Sequence, residues 1–129
     1  MKFEEFYITD SNGKSNCVIR SLCKIYNDSY ENVYNDLCRI QKELNCESFN
    51  DIPVFEKYMS NHNTEIIESE KDIKIKDLKL DNGSYIILCY DKKDFYHMVT
   101  VIDNVLYDKD NRSLDLYTIN IYKQKILKK

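Results

Sequence analysis

Cys17 and His97 are the residues whose types and surroundings point to chemistry. Cys17 stands in Asn16-Cys17-Val18-Ile19-Arg20-Ser21-Leu22, where the polar stretch Asn12-Gly13-Lys14-Ser15 gives way to an apolar helical pattern. The thiol therefore falls in the first turn of a helix. Unpaired backbone N–H groups and the positive end of the helix dipole favour a thiolate there. Such a site lowers a cysteine pKa from about 8.5 into the range of about 3.5–7.5. A base follows late in the chain, in Tyr96-His97-Met98-Val99, and then an acid in Tyr107-Asp108. A thiolate attacks a carbonyl, a neighbouring histidine takes and returns the proton, and a carboxylate holds the imidazole tautomer. The order Cys17, His97, Asp108 supplies all three roles.

The tetrahedral intermediate of such a reaction also needs hydrogen-bond donors for its oxyanion. The backbone N–H of Cys17 is one. The other is a side-chain amide from the preceding loop, Asn12 or Asn16. Asn16 reads better as the helix N-cap, which leaves Asn12 as the expected donor.

The remaining candidates have weaker surroundings. Cys23, Cys38, Cys46 and Cys89 lie in apolar runs or in a loop and read as inert. His62 sits in a polar Asn-His-Asn turn and reads as solvated. Arg20, one turn into the helix, reads as an ion-pair partner rather than a substrate contact. The five cysteines include no C-x-x-C pair, and only His62 and His97 stand beside them. No zinc-ligand spacing arises, and neither a metal nor a cofactor is expected.

The elements that must position these side chains follow from pattern. Phe3 to Ile8 is a short strand or an extended lead-in. Cys17 to Tyr26 is a helix whose apolar positions cover more than half its circumference, so it is central and buried. A second helix starts after Asn27-Asp28-Ser29, with Asp28 and Glu31 as a capping-box variant. Asp51 caps a third, with Pro53 in its first turn. Thr64 to Glu68 reads as a strand and Lys74 to Leu80 as a short helix. Tyr85 to Tyr90, Phe95 to Ile102, Val105 to Tyr107 and Leu114 to Tyr122 read as strands. Helices first and an antiparallel sheet second make one α+β domain over residues 1–129.

Asp103-Asn104 is a two-residue hairpin turn, since both residues tolerate positive φ. That register places Val99 opposite Asp108 and His97 opposite Asp110. All four then share one face, and Asp108 lies on the diagonal from His97, within reach of its ring. Either aspartate is able to orient the imidazole on this ground. Asp110, beyond the strand, reads as a solvated loop carboxylate.

Composition limits the partners. With 129 residues, 43% of them hydrophobic, the chain is long enough for one real core. Its net charge of −3 gives no global basic field for nucleic acid or anionic membrane. The basic run Lys123 to Lys129 reads as a solvated tail. No apolar run approaches a membrane span, and no signal-peptide pattern opens the chain. Reduced thiols and a cytoplasmic setting are expected.

The run Asn16-Cys17-Val18-Ile19-Arg20-Ser21-Leu22 resembles a segment of the small papain-like cysteine peptidases of bacteria and their phages. Their following helix carries an element like Tyr30-Glu31-Asn32-Val33-Tyr34, and their later histidine segment is similar to His97-Met98-Val99-Thr100-Val101-Ile102-Asp103-Asn104-Val105-Leu106-Tyr107-Asp108 without a gap. The resemblance implies a papain-like fold with the nucleophile on the central helix. It implies Cys17 as nucleophile, His97 as base and Asp108 as orienter. Papain-like enzymes commonly place an oxyanion glutamine six residues before the cysteine; Ser11 holds that position here and Asn12 the next. The expected function is hydrolysis of a peptide or isopeptide amide through a thioester. The alternatives are an acyl or amide transferase with the same triad, and a non-catalytic binding protein on the same scaffold.

Overall fold

The apolar run from Tyr85 to Tyr90 becomes the middle of the sheet, and everything that places Cys17 and His97 is built around it. The computed structural model describes residues 1–92 and 96–125. Phe95, where the sequence pattern starts a strand, and Ile126 to Lys129 of the basic tail lie outside the described residues. In chain order the elements are β1 (Lys2–Glu5), α1 (Cys17–Tyr26), α2 (Tyr30–Glu43), α3 (Ile52–Ser60), β2 (Thr64–Ile67), β3 (Ser84–Tyr90), β4 (Tyr96–Ile102), β5 (Val105–Asp108) and β6 (Tyr117–Gln124). The fold is α+β; the described residues form three helices and a six-stranded sheet of order β1-β5-β4-β3-β6-β2.

The Asp103-Asn104 turn has the expected form, with φ of 48° and 67°. It sets the β4–β5 register at Thr100↔Tyr107, Val101↔Leu106 and Ile102↔Val105. The expectation of a purely antiparallel sheet needs correction. β1 pairs with β5 in parallel, from Lys2↔Val105 to Glu5↔Asp108, so the sheet is mixed. β5 has its hairpin partner on one side only, and its other edge is open to a strand arriving from far away in sequence.

The helices pack on one face of the sheet. Ile19, Leu22, Leu37, Phe55 and Tyr58 meet Ile86, Leu88, Met98 and Tyr122 there. On the other face Ile87, Val99, Val101, Leu106 and Ile121 are covered by Ile75, Leu78, Leu80, Leu114 and Leu116. Burial on both faces explains why β3 is a continuous apolar run rather than an alternating one.

The covering segments differ from the sequence reading. The expected helix at Lys74 to Leu80 is a single 3-10 turn, Ile75–Asp77. The first residues of the expected last strand form a second one, Asn111–Asp115, and β6 starts only at Tyr117. Ile75 and Leu114 in these turns, with Leu78, Leu80 and Leu116 just after them, pack on the sheet. At α2 the N-cap is Ser29, whose hydroxyl accepts from the Asn32 N–H. Asp28 instead accepts from Ser29 N–H and Asn32 Nδ2.

Two buried hydrogen bonds fix α1 along β4. Ser21 Oγ donates to the Met98 carbonyl at 2.9 Å, and Thr100 Oγ1 donates to the Ser21 carbonyl at 2.8 Å. They set the start of the helix against the start of the strand, which brings Cys17 to His97.

Candidate active site

Cys17 is the first residue of α1. Asn16 caps the helix, its Oδ1 accepting the Ile19 N–H at 3.1 Å. Caps of this kind contribute about 1 kcal/mol; this one also fixes the thiol at the helix end. β4 runs past the last residue of β5, so the His97–Met98 end of β4 lacks a β5 partner. The first turn of α1 meets that end, where the His97 ring and the Met98 backbone both hydrogen-bond the Cys17 sulfur.

Asp108 closes the set. His97 Nε2 lies 2.7 Å from Asp108 Oδ2, which leaves Nδ1 as the ring atom for the thiol. Ser113 Oγ also donates to Oδ2. On the other oxygen, Oδ1, Arg20 places Nε at 3.0 Å and Nη2 at 2.8 Å, and the Lys109 N–H donates at 2.7 Å. Every partner of this buried carboxylate is a donor, so the site is built for the ionised form.

The electrostatics follow from the contacts. Burial pushes the Cys17 thiol up, but the His97 hydrogen bond and charge outweigh it, with help from the Met98 backbone and Arg20, and the pKa falls below the ordinary value. Burial works against the charged imidazole of His97, yet the bonds to Asp108 and Cys17 carry it up to about 9. Burial also opposes the Asp108 charge, while bonds from His97 and Ser113 and the charges of His97 and Arg20 hold it at about 2. Two other cysteines show what burial does without a cation. Cys23, near Asp28 and Glu31, is pushed up to about 12. Cys89 is raised by burial and by the charges of Asp108 and Cys17.

Two recesses flank the Cys17–His97 pair. One is an open cavity of about 740 Å³ walled by Ser15, Asn16, Asp91, Lys109, Asp110 and Arg112. The other, of about 200 Å³, is apolar and formed by Val18, Phe55, Leu88 and Met98, with the exposed Ile52 and Tyr96 on its rim.

The structure thus brings Cys17, His97 and Asp108 together. Asn12 is not brought to them. The Asp10 carboxylate folds the loop on itself by accepting the N–H groups of Asn12 and Lys14. Asn12 is left exposed and away from the cavity walls, whereas Asn16 lines them. Asn16, anchored through its Oδ1, and Cys17, the first residue of the helix, line the same cavity. His62 is outside the site, its Nδ1 2.8 Å from the Tyr58 carbonyl and its ring stacked on Tyr58. Among the described residues no cluster of three His, Cys, Asp or Glu is placed to hold a metal, and no helix is long and apolar enough to cross a membrane.

Asp110 lies near but is spent on its own turn. It caps the 3-10 turn at Arg112 N–H and pairs with the exposed Arg112 guanidinium at 2.7 Å. Asp110→Asn is therefore expected to leave the alkylation rate of Cys17 within about twofold of the parent, since exposed pairs carry little energy. A larger loss in a folded variant would reassign the orienting carboxylate.

Sequence reasoning missed Ser113; its reading of Arg20 as an ion-pair partner holds, with Asp108 as the partner. Ser113 sits in a polar stretch with no periodicity to mark it. Arg20 had a signal: three residues after Cys17, it shares the thiol's side of the helix.

No protein-family model matches the chain, and neither a curated protein nor a solved structure matches it significantly.

Proposed function

We propose that this chain is a cysteine peptidase of papain-like architecture, hydrolysing a peptide or isopeptide amide. The observation that carries the reading is the continuous hydrogen-bonded set from Cys17 through His97 to Asp108, opening on a cavity. A buried thiol with no chemistry to perform is left neutral, as Cys23 is; this one is matched to a cation.

The steps follow from the groups in place. Cys17 and His97 rest as thiolate and imidazolium. The sulfur attacks the amide carbonyl, and the oxyanion takes hydrogen bonds from the Cys17 N–H and the Asn16 amide. His97 Nδ1 gives its proton to the departing amine as the C–N bond breaks and a thioester forms. Water then gives a proton back to Nδ1, its oxygen displaces the sulfur, and the acid is released. Asp108 stays ionised throughout and stabilises the imidazolium. The two recesses allow an extended substrate to lie across the thiol. Thiolate chemistry needs a reduced Cys17, which fits a cytoplasmic setting.

Alkylation by iodoacetamide at pH 6, read peptide by peptide by mass spectrometry, tests the premise. Cys17 is expected to react at least about tenfold faster than the other four cysteines, because a neighbouring cation lowers its pKa. Its rate should hold as pH rises and change only near pH 9, where His97 loses its proton. Uniform slow labelling instead favours a non-catalytic binding protein. Hydrolysis itself is read as new amino termini in a peptide library, absent with Cys17→Ser.

A further inference from the structure

We propose that Arg20 is a positioning residue for the Cys17–His97 pair, acting through Asp108 and, by its charge, on the thiolate. The inference rests on the catalytic reading above and adds a fourth member to the set. Arg20 is only 5% exposed, although it lines the open cavity one turn along the helix from Cys17. Burying a guanidinium costs several kcal/mol unless its partners are in place. Here its Nε and Nη2 both converge on one oxygen of one carboxylate.

The division of that carboxylate is the informative detail. Oδ1 serves Arg20 and the Lys109 N–H, and Oδ2 serves His97 and Ser113. Arg20 thereby fixes the plane of the group that fixes the imidazole. It also sits on the same helix as the nucleophile, so its distance from the sulfur is set by α1 and not by tertiary packing. With thiolate, imidazolium, carboxylate and guanidinium counted together, the buried set is neutral. Without Arg20 it carries one negative charge, which disfavours the thiolate and tightens the proton on His97.

Other groups face this set from each packed element. From β3 comes Cys89, whose thiol donates to the His97 carbonyl at 3.3 Å, and after that strand comes Asp91 on the cavity wall. From β1 comes Glu5, the exposed register neighbour of Asp108. Beyond β5 lie Lys109 and the mutually paired Asp110 and Arg112. None of these is a buried cation on the carboxylate, so none substitutes for Arg20.

The test is the pH dependence of Cys17 alkylation in the full-length protein, comparing wild type with Arg20→Gln and Arg20→Lys, each checked for folding by thermal melting. In Arg20→Gln both limbs of the profile should move upward by about one pH unit, so that alkylation on the acid limb, where Cys17 takes up its proton, slows about tenfold while the plateau rate stays within about twofold. Arg20→Lys, which keeps the charge but has one nitrogen in place of the fork, should shift by less than half as much. A purely structural role lowers the melting temperature and leaves the limbs where they were. Unmoved limbs in folded Arg20→Gln overturn the proposal while leaving the catalytic reading intact. An ordinary thiol midpoint in the wild type overturns both. If Arg20→Gln does not fold, the His97 imidazole titration followed by NMR in Arg20→Lys decides. A midpoint displaced from wild type supports the proposal, and an identical one overturns it.

Discussion

His97→Ala makes Cys17 about a hundredfold less reactive toward iodoacetamide at pH 7 and lowers any amide hydrolysis by about 10³-fold or more. The direction follows from competing influences on one sulfur. Burial is the largest of them and opposes the thiolate; the His97 hydrogen bond and charge reverse it. Without the ring, burial prevails, and the Cys17 pKa rises, as burial raises that of Cys23 on the same helix. The hydrolytic loss is larger than the alkylation loss because the leaving amine also loses its proton donor. The helix dipole and the Met98 backbone remain in this variant, so it isolates the imidazole. Equal alkylation rates for His97→Ala and the parent at pH 7 would show that the ring does not activate the thiol, and the catalytic reading would fall.

Asp108 gives the second large effect, and it separates stability from chemistry. Asp108→Ala removes the acceptor of four side-chain or backbone donors at once: Arg20, Lys109 N–H, Ser113 and His97. It strands the buried guanidinium, which costs about 3–5 kcal/mol. Asp108→Asn is milder for the fold and as severe for the reaction. The amide oxygen still accepts from Arg20 and Lys109. Its NH₂ now faces His97 Nε2 and drives the ring proton to Nδ1, against the sulfur. The imidazole then has no lone pair for the thiol proton, and turnover falls by about 10³–10⁴. Denaturant melts and single-turnover rates on the two variants check this together. If Asp108→Asn unfolds the protein while Asp108→Ala does not, the carboxylate is not held as described; if both react like wild type, something else orients His97.

Much of this site was legible in the sequence because each of its parts has a local signature. Polar-to-apolar switching at Asn16-Cys17 marks a helix start. Asp103-Asn104 marks a tight turn, and once that turn is fixed, period-two alternation places Val99 opposite Asp108 and His97 on its diagonal. These are short-range rules, and they survived folding. What was not legible depends on contacts across the chain. The parallel pairing of β1 with β5 needs knowledge of an open edge that no local pattern records. The 3-10 turns at Ile75–Asp77 and Asn111–Asp115 exist because the sheet face beneath them needs covering, while their own propensities are indifferent. Asn12 sits in a loop that Asp10 closes by accepting the backbone N–H groups of Asn12 and Lys14, away from the cavity walls. A carboxylate that closes its own loop is hard to tell in sequence from one that is merely solvated.

The distance along the chain between the partners has a kinetic meaning. Arg20 and Asp108 are 88 residues apart, and β1 meets β5 from the opposite end of the chain. Closing loops of that length is slow compared with winding α1. During refolding α1 is therefore expected to sample its helix before the β4–β5 hairpin docks on it and holds it in place. In that interval Cys17 lacks the His97 hydrogen bond and charge that lower its pKa in the folded protein. Activation of the thiol by His97 therefore waits for the hairpin to dock on α1. The burst in Cys17 reactivity is for the same reason a clock for hairpin docking, running later than the helical signal seen by circular dichroism.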